Sequence, residues 1–327
     1  MMAKAEMTCR PLGRCGTQVS VFGLGGWTTF GDSVTDAATV RRTLAAAFSA
    51  GINFFDIADA YARGEAERAM GRVLGEFPRH ELVISSKVFF PMSDDVNDRG
   101  LSRKHIMESI DKTLMRIGTD YLDLYFCHRF DPNTPVEETA RAMDDLVRQG
   151  KILYWGTSEW TGTQLRDAHA LCDRRQLYAP QVEQPQYSLL VRHKFEHDVR
   201  PAAGELGMGL VTWSPLGMGI LTGKYDEGLP KGSRLARVKW LHDWMYQETS
   251  LARTRRFQAP AQKLGCTRAQ LALAWTVSQP GVTSVILGVT NPEQLEENLA
   301  ALAVEIPKAM RKELDKIFPC EPEPPAH

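Results

Sequence analysis

Three apolar segments of this 327-residue chain each end at a side chain that can take part in proton transfer. The run that begins after Gly51 stops at Asp56, with Tyr61 five residues later, and two further runs stop at Lys87 and His128. A phenol has a pKa near ~10 and can donate a proton to a carbonyl oxygen as negative charge develops there. The four side chains therefore have the composition of a proton-donating site for a carbonyl compound.

Each of the four side chains has a definable task in such chemistry. Tyr61 would donate the proton, and the neighbouring ammonium group of Lys87 would lower the pKa of the phenol. Asp56 would keep Lys87 charged and oriented, and a nitrogen of His128 would position the substrate oxygen. Reduction of a carbonyl also needs an electron partner, which these side chains do not supply. The cluster therefore indicates a cofactor that delivers hydride.

The same lysine permits a different chemistry. Lys87 could form a Schiff base with a carbonyl substrate, as aldolases do, while the tyrosine and the aspartate handle protons. Only the reductive chemistry requires a nicotinamide adenine dinucleotide site elsewhere in the chain. A search for such a site therefore discriminates between the two.

Later residues have the chemistry that a nicotinamide dinucleotide requires. Ser158, Gln184 and Trp213 stand at or just after three later strands, where they could hold an amide and stack on a flat ring. Residues 288–292 follow the last predicted strand and open a helix, whose free backbone N–H groups form an anion site. Two cations could add positive charge for a pyrophosphate or a ribose phosphate, namely Lys224 and Arg234.

The elements that must position these residues alternate between strands and helices. Strands are predicted near residues 19–23, 52–56, 82–87, 122–128, 152–158, 179–183, 210–213 and 285–287. Eight alternations with short connections predict an α/β fold of the (β/α)8 TIM-barrel type, although an open doubly wound sheet would give the same order of elements. The carboxyl ends of neighbouring barrel strands meet at one mouth, which would gather the four side chains. We therefore favour the closed barrel.

Three segments around the barrel have patterns of their own. Turn signals within residues 9–20 predict an N-terminal β-hairpin that could plug the bottom of the barrel. Residues 216–260 are rich in Gly, Lys and Arg, which predicts a long functional loop over the mouth after the seventh barrel strand. Thr134, Pro135 and Glu137 predict a capping box for a helix that runs to Gly150. We expect a single domain over residues 1–320 and a disordered tail over residues 321–327.

The overall composition excludes several classes of protein. With 39 basic and 40 acidic residues the net charge is −1, so no global field favours nucleic acid or a membrane surface. The six cysteines show no C-x-x-C pair, which indicates free thiols in a reducing cytosol. The N-terminus lacks a signal-peptide pattern, and no apolar run reaches 18 residues. We expect a cytoplasmic protein without membrane insertion.

Two weaker motifs favour ordinary structural explanations. Gly23, Gly25 and Gly26 resemble a dinucleotide fingerprint, but no further glycine opens a helix at the required offset. His193 and His197 lie one helical turn apart, a spacing that can bind a metal. No third ligand accompanies them, so a solvated helix face is favoured and no metal is predicted.

The sequence resembles the aldo-keto reductases over nearly its whole length, and most closely the potassium-channel β-subunit branch with its microbial relatives. The shared stretches are residues 23–31, 55–61, 100–106, 131–135, 154–158, 212–216, 223–226 and 287–298. The resemblance implies a TIM barrel with NADPH extended across its mouth, and a catalytic tetrad of Asp56, Tyr61, Lys87 and His128. It implies a small carbonyl compound as substrate. Because members of this branch often form tetramers, it also implies a homo-oligomer.

The resemblance also assigns cofactor contacts. Ser158 and Gln184 would bind the nicotinamide amide, and Trp213 would lie against its ring. The remaining contacts implied along the cofactor are Gly26, Trp27, Ser214, Leu216, Lys224, Arg234, Gly288, Thr290, Gln294, Glu297 and Asn298. Of these, Ser214, Leu216, Lys224 and Arg234 would follow the phosphates, and the last five would surround the adenosine end.

The chain departs from the pattern of that branch at three positions. Channel β-subunits have asparagine where this chain has His128, so the site resembles that of an ordinary reductase with a complete tetrad. Glu159 replaces an arginine or asparagine and brings a negative charge close to the nicotinamide. Gln294 stands where many relatives have arginine, which weakens the preference for NADPH over NADH. The alternative function is a regulatory subunit that binds NADPH and reports redox state to a channel or another partner.

Aromatic residues follow several strand ends: Trp27, Phe89, Phe90, Phe130, Trp160 and Tyr187. They could line an apolar substrate pocket or equally pack under the loops. An apolar wall would favour aromatic or medium-chain aldehydes and ketones over free sugars.

Overall fold

The computed structural model describes residues 7–322, which form a closed barrel of parallel strands above a small hairpin. In the hairpin, β1 (Cys9–Pro11) pairs antiparallel with β2 (Gln18–Ser20). The barrel strands are β3 (Phe22–Gly25), β4 (Phe54–Asp56), β5 (Val83–Val88), β6 (Leu122–Cys127), β7 (Ile152–Ser158), β8 (Val182–Gln184), β9 (Gly209–Thr212) and β10 (Ser284–Leu287). Neighbours follow chain order, and β10 pairs with both β9 and β3. The closed barrel is confirmed, and the open sheet is excluded.

The interior of the barrel is filled by one apolar cluster. Its members are Leu12, Val19, Phe54, Val83, Leu124, Phe126, Val182, Val211 and Ile286. Leu12 and Val19 belong to the hairpin, so the hairpin closes the amino-terminal end of the barrel as the sequence predicted. The barrel is therefore open only at the carboxyl ends of its strands.

The alternation of side chains along each strand explains which residues face the interior at the barrel mouth. Successive side chains of a strand point to opposite faces, so a residue two positions after an interior residue is also interior. On β4, interior Phe54 is followed two residues later by Asp56. On β5, the steps from Val83 reach Ser85 and then Lys87. The same step leads from Phe126 to His128, from Val182 to Gln184 and from Val211 to Trp213.

Helices surround the barrel. They are α1 (Ala37–Ser49), α2 (Glu65–Leu74), α3 (Arg103–Ile117), α4 (Val136–Arg148), α5 (Gly162–Arg175), α6 (Arg200–Leu206), α7 (Arg234–Arg237), α8 (Lys239–Met245), α9 (Glu248–Lys263), α10 (Arg268–Val277), α11 (Pro292–Leu299) and α12 (Lys308–Ile317). Short 3-10 segments lie at Tyr61–Gly64, Arg79–Glu81, Gly217–Thr222 and Ala300–Ala303, and a π-helical turn at Phe195–Val199 leads into α6. No helix of residues 7–322 is long and apolar enough to cross a membrane.

The predicted capping box before α4 is wrong. The helix begins at Val136, and Pro135 in the capping position offers no side-chain hydrogen bond. Thr134 instead donates its hydroxyl to Asp131 Oδ2 at 2.8 Å, and the same carboxylate oxygen accepts from Leu101 N. Asp131 thus competes successfully for the threonine, and it joins the loop before α4 to the loop before α3.

The segment that follows β9 lies over the mouth, as predicted, but much of it is helical. We call residues 217–246, with the 3-10 turns, α7 and α8, the mouth segment. It has a small apolar core of its own, made of Met218, Ile220, Tyr225, Leu235, Leu241 and Met245 together with Leu251 of α9. The abundance of Gly, Lys and Arg concealed these apolar positions. Leu241 and Met245, for example, are one helical turn apart.

The predicted disordered tail, residues 321–327, falls mainly outside the described residues. Glu321 is described, and its carboxylate accepts a hydrogen bond from Arg253 Nη2 at 2.6 Å. The prediction for residues 323–327 stays a prediction.

Candidate active site

Lys87 is completely buried at the barrel mouth, and its ammonium group has a partner for each of its three hydrogens. Nζ donates to Asp56 Oδ2 at 2.6 Å, to the backbone oxygen of Ile57 at 2.7 Å and to Tyr61 Oη at 3.1 Å. Burial lowers the pKa of Lys87, but the Asp56 carboxylate and Tyr61 outweigh burial and hold it above its usual value. The Lys87 side chain is therefore a positively charged ammonium group whose three hydrogens are all used in hydrogen bonds.

Asp56 is fixed on its other oxygen as well. Oδ1 accepts from Ser85 Oγ at 2.7 Å and from Gln184 Nε2 at 2.9 Å. These two donors come from the neighbouring strand β5 and from β8, farther round the barrel. Gln184, which the resemblance assigned to the nicotinamide amide, thus also orients the carboxylate that pairs with Lys87.

Tyr61 presents a neutral phenol beside this ammonium. Desolvation raises the pKa of Tyr61 and outweighs the lowering effect of Lys87. The expected lowering by the ammonium is therefore present, but the net shift runs upward in the protein alone. At neutral pH the hydroxyl keeps its proton, as a proton donor must.

The backbone that carries Tyr61 is strained. Ala62 and Arg63 have φ values of 49° and 52°, a region that residues other than glycine rarely adopt, and Gly64 follows at 87°. Asp59 Oδ1 accepts from Ala60 N at 2.6 Å just before this turn. Strained residues persist only where surrounding contacts hold them, and they concentrate at functional sites.

His128 faces the same cavity as Tyr61. Burial, with the nearby charges of Lys87 and Arg129, holds the pKa of His128 well below its usual value, so the imidazole is neutral. Its Nδ1 is buried and has no hydrogen-bond partner among residues 7–322. The ring lies 5.7 Å from that of Tyr61 and 4.9 Å from that of Phe90.

The mouth contains a cavity of about 1920 Å³. Nearly all residues assigned to the site line it: Trp27, Asp56, Tyr61, His128, Ser158, Gln184, Trp213, Ser214, Leu216, Lys224, Arg234, Gly288, Thr290, Gln294, Glu297 and Asn298. Lys87 lies behind this wall and contacts the cavity-lining Tyr61 through its hydrogen bond of 3.1 Å. Gly26 does not line the cavity either, because its Cα faces Met70, where an added Cβ would lie 2.8 Å from the sulfur. Its cofactor contact stays a prediction.

Glu159 is held by a network that the sequence did not reveal. Its Oε1 accepts from Gln186 N at 2.6 Å and from the Trp213 indole Nε1 at 2.9 Å, while Oε2 accepts from Lys194 Nζ at 2.8 Å. Burial raises the pKa of Glu159, but Lys194 and these hydrogen bonds outweigh it and hold the pKa below its usual value. Glu159 thus carries a negative charge that Lys194 compensates, and its carboxylate orients the Trp213 ring.

Two positively charged side chains at the barrel mouth form no ion pair with an acidic residue of residues 7–322. Lys224 lies against Gly219, whose φ is 94° and where an added Cβ would be 2.7 Å from the lysine Nζ. Arg234 lies near Gly288, where an added Cβ would be 3.4 Å from Nη2. Both side chains line the cavity. Desolvation and then the charge of Arg234 lower the pKa of Lys224. A polyanion such as a dinucleotide phosphate chain fits this pair.

The N-terminus of α11 adjoins these cations. Asn291 caps the helix, accepting from Gln294 N at 2.8 Å. The Gln294 side-chain oxygen in turn accepts from Thr290 N at 2.9 Å. Glu297 and the buried Asn298 lie one turn farther along the helix and line the cavity. The five residues assigned to the adenosine end therefore lie on one continuous stretch.

Of the six aromatic residues considered for a substrate pocket, only Trp27 and Phe90 line the cavity. Trp160 and Tyr187 are buried, and Trp160 packs edge-on against Phe130. The sequence reasoning missed Trp240, whose ring lies 6.2 Å from that of Trp27, and it missed Arg129. Residues 7–322 contain no group of His, Cys, Asp or Glu side chains suited to a metal ion, and His193 and His197 lie tilted to each other with ring centres 4.8 Å apart.

A closed parallel barrel whose mouth joins an acidic residue, a lysine, a tyrosine and a histidine beside a large cation-lined cavity defines a class of barrel oxidoreductases. The chain belongs to the aldo/keto reductase family, whose sequence model matches residues 21–318. Members of this family are NAD(P)H-dependent oxidoreductases that act on small carbonyl substrates.

Several proteins resemble the chain over nearly its whole length. A protein of Oryza sativa subsp. japonica and one of Arabidopsis thaliana, each named "Probable voltage-gated potassium channel subunit beta", are 43% identical to it over 95% of this chain and 95% of their own. A Schizosaccharomyces pombe protein with a provisional name of the same kind is 42% identical over 94% of this chain and 92% of its own.

Proposed function

We propose that this protein reduces an aldehyde or ketone to the alcohol with NADPH, and that Tyr61 donates the proton. The observation that carries the proposal is the hydrogen bond of 3.1 Å between the Lys87 ammonium and the Tyr61 phenol. As the substrate oxygen gains negative charge, the phenol gives up its proton, and the ammonium stabilises the phenolate that results. Asp56 keeps Lys87 charged throughout, and the neutral His128 is available to orient the carbonyl oxygen.

The residues of the cavity fit the cofactor. Lys224 and Arg234 would bind its phosphates, Trp213 would lie against its nicotinamide ring, and Ser158 and Gln184 would bind the carboxamide. When bound, NADPH supplies the hydride that reduces the carbonyl carbon. Glu159 holds the Trp213 indole by its N–H and thereby fixes the plane available for stacking.

The Schiff-base alternative is disfavoured by the state of Lys87. A lysine nucleophile needs a depressed pKa and a free lone pair. Here the Asp56 carboxylate holds the pKa of Lys87 above its usual value despite burial, and three hydrogen bonds occupy the ammonium hydrogens. The geometry favours a cation that acts on Tyr61.

A second candidate function is a redox-sensing subunit that binds NADPH and reports to a partner. It is favoured by the names of the plant relatives, which describe channel β-subunits. The two functions differ in turnover: a sensor binds the cofactor tightly and reduces carbonyl compounds slowly or not at all.

The test is NADPH oxidation with a panel of aldehydes and ketones that starts from 4-nitrobenzaldehyde, measured for the wild type and for Tyr61→Phe. We expect kcat to fall by about 10²–10⁴-fold in the variant. Cofactor binding, which is measured by quenching of the tryptophan fluorescence, should persist in this variant. Tyr154→Phe is the matched control, because Tyr154 Oη accepts from Thr17 Oγ1 at the closed end of the barrel. Full activity in Tyr61→Phe would refute the assignment of the acid.

Binding of NADPH without turnover of any carbonyl compound in the panel would favour the sensing function instead.

We further propose a single domain over residues 1–320, a cytoplasmic location and a homo-oligomer such as a tetramer. Light scattering of the purified protein tests the last of these.

A further inference from the structure

Arg129 brings a positive charge to the wall of the cavity beside the proposed proton donor. It follows His128 at the end of β6 and lines the same cavity as Tyr61. Its side chain folds back over the wall: Nη1 donates to the backbone oxygen of His128 at 2.5 Å, and the guanidinium carbon lies 5.5 Å from the centre of the Phe90 ring. Because Phe90 also lies edge-on to the His128 ring, the three side chains form one continuous surface.

No acidic side chain pairs with Arg129 in the part of the chain that the structure describes. Its charge helps to lower the pKa of the Glu159 carboxylate, without an ion pair between the two side chains. That carboxylate is already bound by Lys194, the Trp213 indole and Gln186 N. A guanidinium has five N–H donors, so Arg129 retains donors for a further acceptor.

The cofactor phosphates do not account for this charge. Of the two cations suited to them, Arg234 lies near Gly288 at the end of β10, and Lys224 lies against Gly219 after β9, the strand that pairs with β10. In the strand order β10-β3-β4-β5-β6-β7-β8-β9, β6 lies across the barrel from β10. Arg129 therefore serves a different part of the cavity, next to the side chains that would handle the carbonyl oxygen.

We propose that Arg129 binds an anionic group of the substrate, so that the preferred substrates are aldehydes or ketones that carry a carboxylate or a phosphate. The proposal rests on the proposed reductase function. The Phe90 ring between His128 and Arg129 suits a flat apolar linker between the carbonyl and the anion. Arginine matches such oxoanions because its planar guanidinium donates two parallel hydrogen bonds.

The test compares 4-carboxybenzaldehyde with its neutral methyl ester, methyl 4-formylbenzoate. We expect the wild type to have the higher kcat/KM on the carboxylate. In Arg129→Met, kcat/KM for 4-carboxybenzaldehyde should fall by about 10–100-fold, as for loss of a hydrogen-bonded charge, while that for the ester changes by less than about threefold. Arg129→Lys should give an intermediate loss, since it keeps the charge without the planar fork.

Arg253→Met is the matched control, because it removes a positive charge at the cavity rim whose partner is Glu321. It should leave the ratio of the two kcat/KM values unchanged. Equal losses on both substrates in Arg129→Met, or no preference of the wild type for the carboxylate, would overturn the assignment while leaving the reductase function intact.

Turnover of neither substrate by the wild type would count against the reductase function. In that event the inference is decided by titrating both compounds into the NADPH-loaded protein with fluorescence detection. Tighter binding of the carboxylate that Arg129→Met abolishes supports the anion site, and equal binding of both compounds overturns it.

Discussion

Replacing Asp56 with asparagine tests how far one buried ion pair sets the chemistry of the site. The substitution keeps the shape of the side chain and removes its charge. Lys87 loses the carboxylate 2.6 Å away and stays in a fully buried position. Gln184 Nε2 also loses an anionic acceptor. Removing one partner of a buried pair typically costs about 3–5 kcal/mol, and the remaining amide oxygen should keep the loss here near the lower limit.

The pH dependence of kcat follows from the same contacts. In the wild type, burial opposes the charge of Lys87, and Asp56 is the strongest of the influences that raise its pKa. Without Asp56, burial prevails and the pKa of Lys87 falls below its usual value. Lys87 then loses its proton at a lower pH. The phenolate of Tyr61 loses its stabilisation at that same pH. We expect the basic limb of the kcat profile to move toward neutrality.

The assay is a steady-state profile of kcat from pH 6 to 10 at saturating NADPH, paired with urea unfolding at pH 7. Ser85→Ala is the control, since it removes the 2.7 Å hydrogen bond to Asp56 Oδ1 and leaves every charge in place. It should lower the free energy of unfolding by about 1 kcal/mol and leave the basic limb where it is. An unchanged basic limb in Asp56→Asn, with wild-type kcat, would refute the reasoning.

Three further predictions concern other charged groups. Arg234→Gln should weaken NADPH binding about tenfold or more and NADH binding little, as measured by fluorescence titration; equal losses would contradict a 2′-phosphate contact. Lys194→Met should destabilise the protein more than the double variant with Glu159→Gln, because the single variant leaves the carboxylate unpaired; urea midpoints decide this. Burial raises the pKa of Glu183 from 4.5 to about 8, so the folded protein keeps a proton that the unfolded chain releases. The contribution of Glu183 to the free energy of unfolding is fully present below pH 4.5 and is lost as the pH rises through 8. In Glu183→Gln, the free energy of unfolding should therefore fall less steeply between pH 5 and 8.

Much of the candidate site was predictable because strand alternation is a local rule. Once a strand is recognised by its apolar residues, the side chain two positions beyond the last interior residue must face the mouth. Asp56, Lys87 and His128 were assigned from the ends of three apolar runs, and alternation along the strands explains why they face one mouth. Residue types and strand ends also indicated a dinucleotide site at Ser158, Gln184 and Trp213. The family resemblance added the remaining cofactor contacts and their order along the dinucleotide, since no local pattern joins them.

The contacts that the sequence did not reveal depend on partners distant in the chain. Glu159 is paired with Lys194, 35 residues later, and bonds the Trp213 indole, 54 residues later. Asp131 accepts a hydrogen bond from Leu101 N, 30 residues earlier, and in that position it also accepts from the Thr134 hydroxyl, which therefore does not cap α4. Arg129 is an ordinary surface residue by sequence, and only the fold shows that it lines the cavity without an ion pair to any acidic side chain of residues 7–322.

The separate apolar core of the mouth segment bears on how molecules enter and leave the cavity. A segment whose side chains pack on one another can move away from the barrel as one body, without the entropy change of unfolding its backbone. The contacts to be broken include the packing of this core against Trp27, Leu190 and Trp213. They also include the ion pairs of Arg237 with Asp32, at 3.7 Å, and of Arg268 with Asp226, at 2.7 Å. The residence time of a bound dinucleotide would then depend on the side chains that join the segment to the rest of the protein. Turnover could be tuned there without any change to the residues that perform the chemistry.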